Sequence, residues 1–384
     1  MLGLAIIAGG VVALMLANGF VQWIFHDMRE STIHSRLGHI QITRPGYLRE
    51  GLGDPYAYLL PESTDLGKRI AGIETVTPRL AFSGLVSLHD ETISFVGEAV
   101  DPIREAPISR ALTIVSGKPL SGPEAQEVLL GEGLAANLGA QAGDTVVLLV
   151  TTAEGGLNAV EVTIAGLFAT ITKAYDDSVL RAPIELARSL MRVEGANTWV
   201  ALLDKTEHTE RAIADLRRTL PAADYEIIPW YDLADFYNKT VDLFTRQVAV
   251  VRAVIALIVI LSISNTLSMS VIERTSEIGT MMALGIRRRG VLNLFIAEGV
   301  VLGIAGGLAG VCVGAALAMV ISAIGIPMPP PPGMARGYIG QIALTPGLIF
   351  DGLALAFGTT VLASIAPAWK ASRMTIVDAL RHAR

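Results

Sequence analysis

Long apolar stretches alternate with polar ones in this chain and give its first division. A helix needs about 20 apolar residues to cross the hydrocarbon of a bilayer, and four stretches of the sequence have that character. They predict membrane-spanning helices at residues 1–24, 243–272, 291–324 and 348–369.

Residues 25–242 follow a different pattern. Short runs rich in β-branched residues and bounded by Gly, Asp or Pro predict strands, whereas apolar positions at helical spacing predict helices. We expect strands at residues 39–43, 75–88, 92–96, 145–151 and 160–165, and helices at 124–137, 183–193 and 206–219. The predicted fold is therefore a membrane protein of four helices with a large mixed α/β domain inserted between helices 1 and 2.

The basic residues of the short loops predict which side of the membrane each segment occupies, because Lys and Arg favour the cytoplasmic side. Residues 273–290 and the tail 370–384 are rich in such residues, whereas residues 325–347 contain only Arg336. We expect the first two segments in the cytoplasm, and residues 325–347 and the α/β domain outside it. The basic positions are Arg274, Arg287, Arg288, Arg289, Lys370, Arg373, Arg381 and Arg384.

The start of the chain departs from this rule. No basic residue precedes the first apolar stretch, and the first arginine, Arg29, follows it. The alternative is a cleaved signal peptide, which has a basic start and small residues at its cleavage site; Phe25, His26 and Asp27 suit cleavage poorly. We interpret residues 1–24 as a span, with Met1 downstream of the true start or a cytoplasmic leader missing.

Composition supports a membrane protein and excludes several other classes. Charged residues are 17% of the chain and its mean hydropathy is +0.52, whereas soluble domains contain about 25% charged residues. The net charge of −6 lacks any basic block, so we expect no nucleic-acid partner. A single cysteine, Cys312, excludes an internal disulfide. The histidines are scattered, Asp176 and Asp177 are adjacent and point to different faces, and we predict no metal site and no catalytic residue.

The polar segment 273–290 is the first candidate functional site. Glu273 and Glu277 are four residues apart and share one helical face. Another surface is apolar and suits docking into a groove; it is formed by Ile278, Met281, Met282 and Leu284. Gly279 permits a close approach, and Gly285 suits the end of a helix. The alternative is a solvated loop whose arginines only anchor the topology.

The third predicted span carries three overlapping GxxxG patterns, which let helix backbones approach closely in lipid. Two alternatives remain: a dimer seam between subunits, or packing against span two or four. Glu298 lies in the same span, and a charge is costly in hydrocarbon. We expect it near the interface or paired with the cluster that includes Arg289, with a proton relay as the remaining alternative. The glycines are Gly303, Gly306, Gly307, Gly310 and Gly314.

No GxxxxGK[ST] phosphate loop occurs in the sequence. If ATP drives this protein, another polypeptide must bind it.

Several short motifs are distributed along the chain. They are Glu273-Arg274, Glu277-Ile278-Gly279, Leu284-Gly285, Phe295, Glu298, Pro367, Lys370-Ala371 and 378–381, with 38–42, 130–135, Gly143-Asp144 and 230–233 in the α/β domain. Together they resemble the FtsX-like (MacB/LolC/LolE) permeases of ABC transporters, nearest the lipoprotein-releasing branch. The resemblance covers nearly the whole chain. Two departures are the absence of a basic amphipathic segment before span one and Ile376, where the family's tail commonly has proline.

This resemblance implies a type VII ABC transporter in the bacterial inner membrane. Two permease subunits, identical or different, would pair above a cytoplasmic ABC ATPase dimer that binds ATP and Mg²⁺, while this chain would hold no cofactor. The helix at 273–290 would couple the two, and the glycines of span three would serve packing or the dimer. The implied coupling residues are Glu273, Arg274, Glu277, Ile278, Gly279, Met282, Leu284 and Gly285.

The implied function is extraction of a lipoprotein or another amphiphile from the membrane lipids and its transfer to a periplasmic carrier. One alternative is MacB-type efflux of a drug or peptide through a periplasmic adaptor. Another is a mechanotransmission permease that regulates a periplasmic hydrolase. A membrane-anchored enzyme is more remote, because no catalytic constellation stands out.

Overall fold

The computed structural model describes residues 2–51, 55–61, 66, 70–170, 172–329 and 337–374. The chain divides into two compact units. We call one the helical unit (1–26, 240–328 and 339–384) and the other the α/β unit (27–239 and 329–338).

Twelve helices and twelve strands are numbered in chain order within the described residues. The helices are α1 (Leu2–Thr32), α2 (Tyr47–Glu50), α3 (Pro102–Glu105), α4 (Glu132–Leu138), α5 (Lys173–Asp176), α6 (Ile184–Met191), α7 (Thr209–Thr219), α8 (Trp230–Leu233), α9 (Asp235–Glu273), α10 (Thr275–Ala283), α11 (Arg288–Ile324) and α12 (Pro346–Ser372). The strands are β1 (Ile40–Thr43), β2 (Ile73–Leu88), β3 (Glu91–Val100), β4 (Thr113–Gly117), β5 (Glu127–Gly131), β6 (Thr145–Thr151), β7 (Leu157–Ala169), β8 (Val179–Pro183), β9 (Thr198–Leu203), β10 (Glu226–Pro229), β11 (Ile326–Met328) and β12 (Tyr338–Gly340).

Four of these helices, α1, α9, α11 and α12, are long and apolar enough to cross a membrane. Two of them extend well beyond the predicted spans: α1 continues to Thr32 rather than ending at residue 24, and α9 begins at Asp235 rather than at 243. The difference has a physical cause. Hydropathy locates the part of a helix that suits lipid, whereas the helix itself continues until its backbone hydrogen bonding is interrupted.

One face of α11 consists of glycines that are buried against other helices of the same chain. A β-carbon at Gly310 would lie 2.7 Å from Cβ of Val11 and 2.9 Å from the carbonyl oxygen of Ala8, both in α1. At Gly299 it would lie 2.8 Å from Cβ of Ser364 in α12. The glycines therefore let α11 approach both neighbours more closely than any side chain would permit.

The glycines named from the sequence divide between these two neighbours. Gly303 and Gly307 lie against α12, at Thr360 and Ala356, whereas Gly306, Gly310 and Gly314 lie against α1. These contacts are packing within the chain, while the dimer seam stays a prediction. The expected neighbour was span two or four, and the structure corrects it to the first and the fourth.

The α/β unit contains a sheet in which ten strands take part within the described residues. Its order is β10-β1-β9-β2-β3-β8-β5-β7-β4, and β6 pairs with β2 and β7. Most pairs are antiparallel, while β3 pairs with β8 and β5 with β7 in parallel. The expected mixed α/β character is confirmed, and so are the predicted strands at 39–43, 75–88, 92–96, 145–151 and 160–165, within a few residues at their ends.

One predicted helix of this unit is wrong in its first half. Residues 127–131 form the strand β5, and only 132–138 are helical, although we expected a helix over 124–137. β5 lies inside the sheet between β7 and β8, and four of its five residues are buried. A strand buried on both faces lacks the polar alternation that distinguishes strands from helices in a sequence.

An ion network lies on one face of this sheet, because the register places its members side by side. Glu98 is directly opposite Arg181 of the neighbouring strand β8. A carboxylate oxygen of Glu98 lies 3.0 Å from Nη1 of Arg79, and the other lies 2.7 Å from Nη2 of Arg181. Both arginines also contact Glu105. Buried charges such as these depend on one another, since removal of one member leaves its partner uncompensated.

We predict that the glycine contact between α11 and α1 is required for stability of the helical unit. Gly310→Ala adds a methyl group where backbone and Val11 already stand within 3 Å, so it should cost about 1–3 kcal/mol. Gly358→Ala, in α12, meets nothing within 4 Å and should be neutral or stabilise by up to about 1 kcal/mol. Thermal unfolding of the two variants in one detergent measures the difference; equal stability would contradict the packing.

Candidate functional site

The polar segment 273–290, which we call the elbow, connects α9 to α11. A single residue, Arg274 (φ −103°, ψ 18°), separates α9 from the short helix α10. The hydroxyl of Thr275 donates to the carbonyl oxygens of Val271 (3.0 Å) and Ile272 (2.8 Å). These bonds satisfy carbonyl groups at the end of α9 that have no partner within the helix, so the chain can turn there without leaving polar groups unpaired.

Gly285 ends α10, as the sequence predicted. Its φ of +96° lies in the left-handed region, where glycine avoids the strain of a β-carbon. Its N–H donates to the carbonyl of Met282 (3.1 Å), and the N–H of Ile286 donates to that of Met281 (3.1 Å). This pair of bonds is the Schellman arrangement, which closes the C-terminus of a helix. The glycine therefore fixes the direction in which the chain leaves α10.

Apolar side chains attach the elbow to the long helices. Ile278 and Phe295 are each 1% exposed and share a buried cluster with residues of α9, α11 and α12. Ile278 and Gly279 therefore face inward, which corrects the expectation that Ile278 belongs to the docking surface. The other buried members are Val271, Val291, Ala368 and Ala371.

Ion pairs also connect the elbow to α11, but at a half-exposed position. Nε of Arg274 lies 2.9 Å from a carboxylate oxygen of Glu277, and Nη1 of Arg274 lies 3.6 Å from one of Glu298. The observed partner of Glu298 is thus Arg274 and not the expected arginine cluster around Arg289. Such exposed pairs contribute about 0–1 kcal/mol, less than the burial of one large apolar side chain.

The outer surface of the elbow contains exposed apolar side chains with charged residues around them. Leu284 is 82% exposed and Ile286 is 44% exposed, while Glu273 and Glu277 are also exposed. Met282 is half-buried beside them. We call Glu277, Met282, Leu284 and Ile286 the elbow patch. Ile286 was not among the predicted residues, although its position directly after a helix-ending glycine was a usable signal.

Other candidates from the sequence have structural roles. The carboxylate of Asp176 accepts hydrogen bonds from the N–H (3.0 Å) and the hydroxyl (2.7 Å) of Thr170. Burial raises the pKa of Asp176. Asp177 pairs instead with Lys173 at 2.8 Å. Within the described ranges, no group of three or more His, Cys, Asp or Glu residues is placed to hold a metal ion.

Two predicted features lie outside the described residues. They are residues 330–336 of the segment 325–347, with Arg336, and the end of the tail from residue 375 onward, with Ile376 and residues 378–381.

Comparison with known families identifies both parts of the chain. Residues 1–219 match the family model described as the MacB-like periplasmic core domain, which covers more than half of the chain. Residues 249–376, which include the elbow, match the FtsX-like permease C-terminal family. The chain belongs to the FtsX-like permease family of the MacB/LolC type. The resemblance inferred from its motifs is confirmed.

Three similar proteins carry different names. An uncharacterized ABC transporter permease of Methanocaldococcus jannaschii is 27% identical over 57% of this chain and 54% of that protein. The macrolide export ATP-binding/permease protein MacB of Bdellovibrio bacteriovorus is 24% identical over 100% of this chain and 58% of that protein. The lipoprotein-releasing system transmembrane protein LolC of Neisseria meningitidis is 26% identical over 83% of this chain and 76% of that protein. This FtsX-like chain spans little more than half the length of the first two.

We predict that apolar burial, and not the ion pairs, holds the elbow in place. Phe295→Ala removes a fully buried ring, a change that costs about 3–5 kcal/mol in protein cores, and should speed amide exchange across residues 275–283 at least tenfold. Glu298→Gln should change that exchange less than threefold, because it breaks only a half-exposed pair. Hydrogen–deuterium exchange of the full chain in nanodiscs makes the comparison. The reverse order of the two effects would show that charge anchors the elbow.

Proposed function

We propose that this chain is the membrane subunit of an ABC transporter in the bacterial inner membrane and that the elbow receives force from a separate cytoplasmic ATPase. The observation that carries the proposal is the construction of the elbow: an exposed apolar side chain, Leu284, follows a short helix whose Ile278 is buried among the long helices. An element that only reversed the chain direction would need neither feature.

Charge supports the cytoplasmic position of the elbow. Arg274 and residues 287–289 cannot lie in hydrocarbon without a large cost, and arginines in short loops favour the cytoplasmic side. With spans at α1, α9, α11 and α12, the α/β unit then lies on the opposite side of the membrane. This placement agrees with the description of the matched family as a periplasmic core domain.

The ATPase is proposed as a dimer of another polypeptide, paired with two permease subunits. The sequence contains no phosphate-binding loop of the GxxxxGK[ST] type. ATP and Mg²⁺ would be held by that partner, and no residue of this chain would take part in hydrolysis.

Force would pass from the elbow to the long helices through the buried cluster. Ile278 of α10, Phe295 of α11 and Ala368 of α12 are all fully buried in it. Close-packed apolar groups resist separation, so a displacement of α10 shifts these helices together. A solvated loop held by surface charges would instead absorb the movement.

The interior of the helical unit supports a mechanism in which the substrate does not pass through a central pore. In the described part of that unit, the buried hydroxyls of α12 bond to their own helix: Thr360 Oγ1 donates to the carbonyl of Ala356 (2.7 Å), and Ser364 Oγ to that of Val361 (2.8 Å). At its glycine face, α11 packs closely against α1 and α12. The hydroxyl donors of Thr360 and Ser364 are therefore already used within α12 and are not available to a passing polar substrate.

We infer that the substrate is a lipoprotein or another amphiphile, which is extracted from the membrane and handed to a periplasmic carrier. The LolC relative, which belongs by name to a lipoprotein-releasing system, is matched over 76% of its own length. The second candidate is drug or peptide efflux with an adaptor, favoured by the MacB relative that matches the whole of this chain. The third is mechanical regulation of a periplasmic hydrolase. Co-purification of a carrier, an adaptor or a hydrolase separates the three.

We predict that Leu284→Asp weakens binding of the ATPase at least tenfold. The change puts a charge at the apolar centre of the proposed contact, where single side chains carry most of the binding energy. It should not disturb folding, because the side chain is 82% exposed. The measurement is the Kd of the cognate ATPase for the full chain in nanodiscs, together with stimulated ATP hydrolysis.

The matched control is Leu157→Asp, the same substitution at a leucine of the α/β unit that is 74% exposed. It should leave both quantities unchanged. Wild-type affinity for the ATPase in Leu284→Asp would contradict the proposal that the elbow couples to the ATPase. Equal losses of affinity in both variants would point to a general effect of the new charge.

A further inference from the structure

A cavity of about 460 Å³ lies on one face of the sheet in the α/β unit, beside the ion network. We call it the sheet-face cavity. Its size lies within the range of small-molecule sites, which are about 300–1,000 Å³. Its lining includes Arg36, Gln41, Tyr47, Ala81, Val96 and Tyr175.

Strand register explains why the sheet is hollow at this point. Ala81 of β2 stands directly opposite Glu98 of β3, and the next residue on the same face of β2, Arg79, stands opposite Thr198 of β9. Alternate residues of a strand share a face, so the small side chain of Ala81 leaves a depression between larger polar neighbours. The depression therefore arises from the side chains of paired strands and not from the conformation of a loop.

The acidic group in the wall of the cavity has no capacity left for a cation. Glu98 already accepts hydrogen bonds from Arg79 (3.0 Å), Arg181 (2.8 Å) and the phenol of Tyr175 (2.6 Å). Although burial alone would raise the pKa of Glu98, the charges of Arg79 and Arg181 outweigh it and hold the pKa below its ordinary value. The carboxylate therefore stays ionised and fully occupied.

Donors in the cavity are less fully used. The guanidinium of Arg36 lies 4.9 Å from the centre of the Tyr175 ring, and its side chain is exposed. Among the described residues, neither this guanidinium nor the hydroxyls of Tyr47 and Thr198 form a hydrogen bond or an ion pair. Burial, with the nearby charge of Glu98, raises the pKa of Tyr47 to about 12, so its phenol keeps its proton at neutral pH and can donate it in a hydrogen bond.

The sheet-face cavity combines an excess of positive charge with an exposed apolar side chain. Among the described residues, Arg79 and Arg181 form ion pairs with Glu98 and Glu105, and Arg36 adds a third positive charge near Glu98. These five side chains therefore carry one positive charge in excess. Val96, at the edge of the cavity, is 54% exposed. An anion with an apolar portion would satisfy both features.

We propose that the sheet-face cavity binds the anionic group of an amphiphile, a phosphate or a carboxylate joined to an apolar chain. Arg36 contacts the charge, the hydroxyls of Tyr47 and Thr198 donate to its oxygens, and Val96 covers the first part of the chain. The assignment deepens the proposed function and rests on it for the source of the ligand, since a transporter that extracts amphiphiles must hold their head groups outside the membrane.

The test is calorimetric titration of the full chain in phosphatidylcholine nanodiscs with octyl phosphate, after subtraction of empty nanodiscs. We expect saturable binding at one site, with at least tenfold weaker binding in Arg36→Gln. Val96→Asp should weaken it similarly through charge repulsion, whereas Val96→Lys, which also removes the apolar contact but adds a positive charge, should bind at least tenfold more tightly than Val96→Asp. Because Val96 is exposed, this pair keeps the test valid if Arg36→Gln does not fold. Arg211→Gln, on the exposed surface of α7, is the matched control and should stay within twofold of wild type.

Two further ligands test whether the site requires an apolar chain and whether it requires a negative charge. Inorganic phosphate at the same concentration should compete weakly, and octyltrimethylammonium should not bind saturably. Unchanged affinity in both Arg36→Gln and Val96→Asp, or equal binding of the cation, would overturn the site. Competition by inorganic phosphate as strong as that of octyl phosphate would overturn the amphiphile and leave a phosphate site. No ATPase is present, so these outcomes are independent of the result with Leu284→Asp.

Discussion

The exclusion of charge from hydrocarbon is the constraint on which the account of this permease depends. The elbow carries Arg274, Glu277 and three consecutive arginines between two long apolar helices, and a bilayer core would leave such groups without water or partners. The elbow must therefore lie at a membrane surface. We propose the cytoplasmic surface because arginines in short loops favour that side, and four spans would then place the α/β unit on the opposite side. Apolar packing then decides what the elbow does there, because Ile278 and Phe295 join it to the helices that would move.

The difference between apolar and charged residues also explains which parts of the structure can be predicted from the sequence and which cannot. The four long helices follow from hydropathy alone, because a run of about 20 apolar residues matches the thickness of the hydrocarbon layer. The ends of α1 and α9 do not, since polar residues can continue a helix beyond the membrane. The strand β5 resembles a helix in the sequence because its Val128, Leu129 and Leu130 form a short apolar run without alternation.

Residues that act together but lie far apart in the chain were the hardest to predict. Arg79, Glu98, Glu105 and Arg181 are ordinary charged residues in the sequence, and only the pairing of β2, β3 and β8 brings them into one network. The inward direction of Ile278 likewise depends on Phe295 and Ala368, which follow it in other helices. By contrast, the role of Gly285 was readable because a helix end is a local structure with a local signal.

The most direct test of the central claim is the sidedness of the elbow relative to the α/β unit. In a Cys312→Ser background, a cysteine would be introduced either at Leu284 or at Leu157, both of which are more than 70% exposed. Each variant would be treated with a membrane-impermeant maleimide in spheroplasts and in inverted vesicles. The account predicts labelling of position 157 only in spheroplasts and of position 284 only in inverted vesicles. Labelling of both positions from the same side would contradict it.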